Sequence, residues 1–223
     1  MFNSHTAWLI PLTLTIVSFG SNIERATAET TKTYTFNADY KTLVTIDTSY
    51  RPDLDIIRAT ITGESVEPAP YGLNFFTSNT YGKLESSDNA SIIKYTFNSD
   101  PTVFGLTDAP LLYDRYYGGA NELFGRASDS AEINFVQETI KGGGTISIFG
   151  GTGLFKNATG TISFTEEDKL NLSGSPSEGL AKLTFTLQTP QSVPEPTATT
   201  TLIGMGLIGA GLILKRCRYK TFL

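Results

Sequence analysis

Hydrophobic residues in the middle of the chain recur at every second position and almost nowhere at helical spacing. In residues 31–36, Tyr34 and Phe36 share one face; residues 42–46 repeat the alternation, and residues 57–61 place Ile57, Ala59 and Ile61 together. A period of two with β-branched enrichment marks half-buried strands. Residues 67–72 read Glu-Pro-Ala-Pro-Tyr-Gly, a loop, because prolines two apart cannot sit in a central strand. The strand pattern resumes at residues 73–77 and 92–97. Residues 108–125 read as a short strand and a long aromatic loop, with Tyr113, Tyr116, Tyr117 and Phe124 among glycines. Residues 132–138 alternate Ile133, Phe135 and Gln137 against Asn134 and Val136. Gly142-Gly143-Gly144 is then predicted to turn, and Ile146 and Ile148 mark a strand over residues 145–149. Ile162 with Phe164, and Leu183 with Phe185 and Leu187, define the last two. Turn signals roughly 8–15 residues apart predict an all-β fold, an antiparallel sandwich or barrel.

Tyr34-Thr35-Phe36-Asn37-Ala38-Asp39 nearly repeats as Tyr95-Thr96-Phe97-Asn98-Ser99-Asp100. Asn-x-Asp behind an aromatic strand predicts a turn, since Asx side chains bond their own backbone. The match fades beyond six residues, so a shared strand-end solution explains it better than a duplicated half. No solenoid-type period is present.

Both ends break the pattern. Residues 7–19 are an apolar run interrupted only by Pro11, Thr and Ser, and Ala26-Thr27-Ala28 is a small-x-small cleavage site before Glu29. This predicts a signal peptide over residues 1–28, although no Lys or Arg precedes the run. At the other end, residues 198–214 are 17 uncharged positions, about 25 Å as a helix and enough for a thin bilayer. Lys215, Arg216, Arg218 and Lys220 follow, and such a cluster stays cytoplasmic. The expected organisation is a leader, one extracytoplasmic β-domain over residues 29–192, and a membrane-anchoring segment over residues 193–223.

Val193-Pro194-Glu195-Pro196, the short glycine-containing span and the basic tail, in that order, resemble the PEP-CTERM sorting signal of bacterial exported proteins. The resemblance implies an exosortase as partner, a membrane-embedded cysteine protease or transpeptidase that cuts near Pro-Glu-Pro. Here the basic cluster departs from the family pattern in being interrupted by Cys217 and Tyr219 and followed by Thr221-Phe222-Leu223. A plain single-span anchor that is never cut is the simpler alternative.

Charge and reactive residues narrow the function. From residue 29 to 197 there are 12 Lys and Arg against 21 Asp and Glu, a net of −9 that the whole-chain −5 conceals. A domain this acidic repels phosphate backbones, which argues against nucleic-acid binding. The single histidine, His5, belongs to the leader, and the single cysteine, Cys217, to the basic tail. The expected outer domain therefore lacks Ser-His-Asp and Cys-His nucleophilic sites, His- or Cys-based zinc sites, and disulfides. No cofactor motif emerges.

Residues 150–160, Gly150-Gly151-Thr152-Gly153-Leu154-Phe155-Lys156-Asn157-Ala158-Thr159-Gly160, lie between two strands. Their glycines permit positive φ and close backbone approach, and Phe155 can fold back as a plug under the turn. No Gly-Lys-Ser/Thr and no helix follow, so a phosphate loop is excluded. The segment resembles the G-G-T-G-x-F-x-x-A-x-G hairpin of allene oxide cyclase and dirigent proteins. That resemblance implies a structural corner, built on Gly150, Gly151, Thr152, Gly153, Phe155, Ala158 and Gly160, of an eight-stranded antiparallel barrel. It carries over no catalytic residue.

Other patterns weigh less. Gly204-Met205-Gly206-Leu207-Ile208-Gly209 spells a dinucleotide fingerprint, but inside the expected span with no strand before it. Glu166-Glu167-Asp168 and Asp53-x-Asp55 carry carboxylates that suit calcium, without EF-hand spacing, and exposed acidic turns account for them more simply. Three readings follow. The preferred one is a non-enzymatic surface or matrix protein that meets extracellular polysaccharide through exposed Tyr and Phe. The second is a barrel binding a small hydrophobic molecule, which calls for a cavity of roughly several hundred Å3. The third is a carboxylate-dependent glycosidase, which calls for two inward carboxyls about 5–10 Å apart in a cleft.

Overall fold

Alternation in sequence becomes one continuous antiparallel sheet in the computed structural model, which describes residues 29–85, 91–173 and 176–192. The signal-peptide cleavage residues Ala26 and Ala28, the Val193–Pro196 motif (residues 193–196), the span at 198–214 and the basic cluster lie outside the described residues. No helix among the described residues is long and apolar enough to cross a membrane.

Among the described residues nine strands form, in chain order: β1 (Glu29–Arg51), β2 (Ile56–Ser65), β3 (Phe75–Leu84), β4 (Ile92–Asn98), β5 (Asp114–Tyr117), β6 (Glu122–Asn134), β7 (Thr139–Thr152), β8 (Thr159–Lys169) and β9 (Ser177–Ser192). The hydrogen-bonded order runs β2-β1-β9-β8-β7-β6-β4-β3, and a β2–β3 pairing returns the sheet to its start as a closed ring. Between β3 and β6 the ring place is shared. β4 pairs with their one half, Leu84↔Tyr95 and Ile93↔Ile133, while β5 pairs with the other, Phe76↔Tyr116 and Tyr116↔Leu123. Nine strands thus fill eight places. A ring leaves no lateral row of unpaired backbone groups except at strand ends.

Four sequence expectations are corrected. Residues 31–36 and 42–46 are not two strands but parts of the 23-residue β1. Their apolar positions share one parity, so Asn37 and Asp39 simply face water and pair with Thr184 and Lys182. The repeated Asn-x-Asp turns only in its second copy, where Asn98 Oδ1 accepts from the Asp100 amide and Asp100 accepts from Thr102. The Gly142–Gly144 triplet, predicted as a turn, runs straight through β7. The turn instead falls at residues 135–138, between β6 and β7, and β6 begins ten residues earlier than the alternation around Ile133 suggested.

Side chains of one parity fill the ring. Toward one end the packing is aromatic: Phe36 stacks on Phe185 with ring centres 4.4 Å apart, and Tyr116 meets Phe185 edge-on at 5.5 Å. Tyr40 packs edge-on against Phe76 at 5.1 Å, and its hydroxyl donates to the Leu73 carbonyl at 2.6 Å. Phe155, in the turn between β7 and β8, is fully buried against Tyr34 and Tyr71. Each such ring contributes about 1.5–3 kcal/mol by leaving water, and holds the sheet closed without a disulfide.

Candidate functional site

Two regions carry chemistry: the outer face over β3, β5, β6 and β7, and a chamber inside the ring.

On the outer face, parity sends Phe75 of β3, Arg115 and Tyr117 of β5, Phe124 and Arg126 of β6 and Phe149 of β7 away from the core. The strands are neighbours in the sheet, with Phe75↔Tyr117, Arg115↔Phe124 and Phe124↔Gly150 in register. The rings therefore form two groups on one face, with Arg115 between them. Phe75 lies 5.8 Å from Tyr117, Tyr113 6.3 Å from Phe124, and Phe124 stacks 6.5 Å from Phe149. Phe149 and Tyr113 are about half exposed, at 51% and 53%. A β-bulge at Phe124/Gly125 turns Phe149 into the second group. The Arg115 guanidinium sits 4.8 Å from the Tyr117 ring centre, and that of Arg126 sits 5.1 Å from Phe149. These cation–π contacts stiffen the rings from the flank. Arg115 is also paired with Glu122. Past Phe75 the face opens onto a groove of about 450 Å3, lined by Lys41, Thr62, Glu64, Phe75, Tyr117 and Glu178. Flat apolar rings beside exposed hydroxyl, ammonium and carboxylate groups match a polyhydroxylated partner with apolar C–H faces.

Inside the ring, beyond the aromatic packing, lies a cavity of about 60 Å3 walled mainly by aliphatic side chains such as Val44, Ile46, Ile133 and Ile140. Into it project carboxyls. Glu166 and Asp168 are two apart on β8, so both point inward, and this corrects their expected place in an exposed acidic turn: the strand continues to Lys169, and only Glu167 faces water. Their phase matches Ile162 and Phe164. Asp53 and Asp55, by contrast, do occupy an exposed turn, between β1 and β2.

The chamber is built by what surrounds the carboxyls. Thr42 donates to Asp168 Oδ1 at 2.6 Å. Gly179 stands opposite Asp168 in register, and any Cβ there would overlap the carboxylate. Gly144, opposite Asp129, likewise leaves room that a side chain would take from Asp129. This is the reason β7 carries glycine without turning. Asp129 lines the cavity from β6, while Asp114 of β5 is fully buried behind Ser78, whose hydroxyl donates to its Oδ1 at 2.7 Å. Glu166 and Asp168 are hydrogen-bonded carboxyl to carboxyl, and among the described residues Asp114 Oδ2, Glu166 Oε1 and Asp168 Oδ2 meet no other donor.

Burial dominates the electrostatics. It pushes Asp114 up to about 7, against the opposing pull of Ser78 and the Asn79 backbone. Asp129 rises to about 8 through burial and then through repulsion from Asp114. Glu166 and Asp168 are both raised by burial, Glu166 further by Asp168 beside it, so the pair retains a proton well above ordinary carboxyl pH. Asp114 and Asp129 were not visible as candidates from sequence. A charge in phase with apolar neighbours, as Asp129 is with Ala127, Ala131 and Ile133, was the available signal.

The segment over residues 150–160 closes the β7–β8 connection. Gly150, Gly151 and Thr152 end β7, Gly153 adopts positive φ, Ala158 and Phe155 are fully buried, and Gly160 in β8 has φ 134° against Thr186. Among the described residues no group of three or more acidic side chains is placed to hold a metal ion. No protein-family model matches the chain, and no curated protein matches it.

Proposed function

We propose that the chain is an exported, non-enzymatic protein of the cell envelope or extracellular matrix, whose β-domain binds extracellular polysaccharide along its outer aromatic face. On this reading the signal peptide over residues 1–28 directs export. The Val193-Pro194-Glu195-Pro196 motif, the span over residues 198–214 and the Lys215/Arg216/Arg218/Lys220 cluster hand the chain to an exosortase. The closed ring is then an antiparallel barrel of eight places, working outside the cytoplasmic membrane as a rigid carrier.

The observation that carries the binding role is that two ring groups, Phe75–Tyr117 and Tyr113–Phe124–Phe149, share one sheet face with Arg115 between them, beside a groove with Lys41, Glu64 and Glu178. A set of exposed apolar rings rimmed by polar groups on a sheet face marks an interaction surface. The alternatives receive less support. A cavity of about 60 Å3 is small for a hydrophobic ligand, since such pockets usually reach about 300–1,000 Å3. Glu166 and Asp168 flank one another on one strand instead of facing each other across a sugar-sized cleft.

Intact mass of the product recovered from cells tests the sorting half. Termini at Glu29 and within residues 193–196 support it. A product that keeps Leu223 reduces it to simple anchoring, and one that keeps His5 in the cytosol overturns export.

A further inference from the structure

The chamber inside the ring has features that a merely hydrated core does not need. Two of its carboxyls, Glu166 and Asp168, are at least nine-tenths buried, with 9% and 2% exposure, and each presents one oxygen that meets no donor beyond the other carboxyl. Both line the cavity, and β7 and β9 give up side chains at Gly144 and Gly179 to make room for the carboxyls around it. The rest of the wall is mostly apolar, Val44, Ile46, Ile133 and Ile140 among it, with Asp129, Ser78 and Thr80 as its other polar members.

We propose that this chamber is a binding site for a short-chain primary ammonium ion. The NH3+ group offers three donors and no acceptor, which fits orphaned carboxyl oxygens. Glu166 and Asp168, sharing one proton, carry a single negative charge, to which Asp129, held protonated up to about 8, adds none at pH 7, and one monocation neutralises it. The alkyl part lies against the isoleucines and Val44, where a hydrated ion loses its water without replacement. A calcium ion requires about 6–8 oxygens, and among the described residues no three acidic side chains are grouped to hold a metal ion. Thr42 holds Asp168 through its Oδ1, which leaves Oδ2 for the ligand. The cavity limits the ligand to a few heavy atoms. This site is separate from the outer aromatic face, and neither depends on the other.

The test is a titration of the full-length chain, in detergent and with 13C-labelled isoleucine methyl groups, at pH 7. The probes are propylammonium chloride, propan-1-ol and calcium chloride. The expected result is saturable shifts of the Ile46, Ile133 and Ile140 methyls with propylammonium, at least tenfold weaker with propan-1-ol and absent with calcium. Ile56, buried in a separate cluster outside the chamber, stays still. In Glu166→Gln/Asp168→Asn the propylammonium shifts disappear while the Ile56 methyl keeps its position. Equal saturation by propan-1-ol would make the chamber a plain apolar void and overturn the assignment. So would shifts with calcium alone, or no saturation by propylammonium. The wild-type comparison decides even if the double variant does not fold.

Discussion

Replacing Asp114 by asparagine is predicted to stabilise the protein at neutral and alkaline pH. Asp114 is fully buried, one oxygen receives the Ser78 hydroxyl, and the other receives nothing. In the unfolded chain it releases its proton near 3.8, whereas burial holds it in the folded state to about 7. Between those values the folded state binds more protons than the unfolded one, so stability falls as pH rises. The contribution is intact below pH 3.8 and has been lost once pH exceeds about 7. At about 1.4 kcal/mol per pH unit, the interval is worth about 4 kcal/mol. Asparagine keeps the shape and the acceptor for Ser78 but cannot ionise. Urea unfolding of both proteins, followed by circular dichroism from pH 4 to pH 8, reads this term together with the smaller change at Asp129, because Glu166 and Asp168 titrate in both. The difference curve should start within about 1 kcal/mol at pH 4 and favour Asp114→Asn by about 3–4 kcal/mol at pH 8. Some of the gain reflects relief of the Asp114–Asp129 repulsion. A flat difference curve, or a variant weaker at pH 8, would show that the carboxyl is solvated or paired and refute the reasoning.

Other substitutions probe the packing and the outer face. Phe185→Ala removes a ring with no exposure that stacks on Phe36, and should cost about 3–5 kcal/mol in urea unfolding. Gly179→Ala forces a Cβ into Asp168 and should destabilise by about 2 kcal/mol or more, whereas Gly150→Ala, with nothing within 4 Å, should stay within about 0.5 kcal/mol. Arg126→Ala removes the cation over Phe149 from an exposed position; its unfolding free energy should fall by only about 0.5–1 kcal/mol.

Much of this architecture was legible in the chain, because parity is a local signal. Tyr34, Phe36, Ile57, Ala59, Ile146, Ile162, Phe185 and their partners all face inward as their alternation implies. Closure was not legible: it rests on the first strand meeting the last, β1 on β9, and on β4 and β5 sharing one place between β3 and β6, pairings with no sequence mark. Glycine misled for a physical reason. In the Gly142-Gly143-Gly144 run the missing side chain at Gly144 makes room for Asp129 inside the ring, and the same residue type elsewhere makes turns. The polar Asn37 and Asp39 misled similarly, since an outward position in a strand tolerates the residues a turn prefers. The inner carboxyls were half visible. Glu166 and Asp168 continue the phase of Ile162 and Phe164, but an acidic triplet reads first as solvent-facing, and only the register with Thr42 and Gly179 across neighbouring strands shows the chamber.

The central claim is that this β-domain acts through its outside. Binding to polysaccharide extracted from the envelope of the producing cells, measured by affinity electrophoresis for the wild type, Tyr117→Ala/Phe149→Ala and Asp114→Asn, tests it most directly. The outer double variant should lose at least about tenfold in affinity, as central aromatic anchors do, while the interior variant binds like the wild type. Undiminished binding by Tyr117→Ala/Phe149→Ala, with loss in Asp114→Asn, would contradict the account.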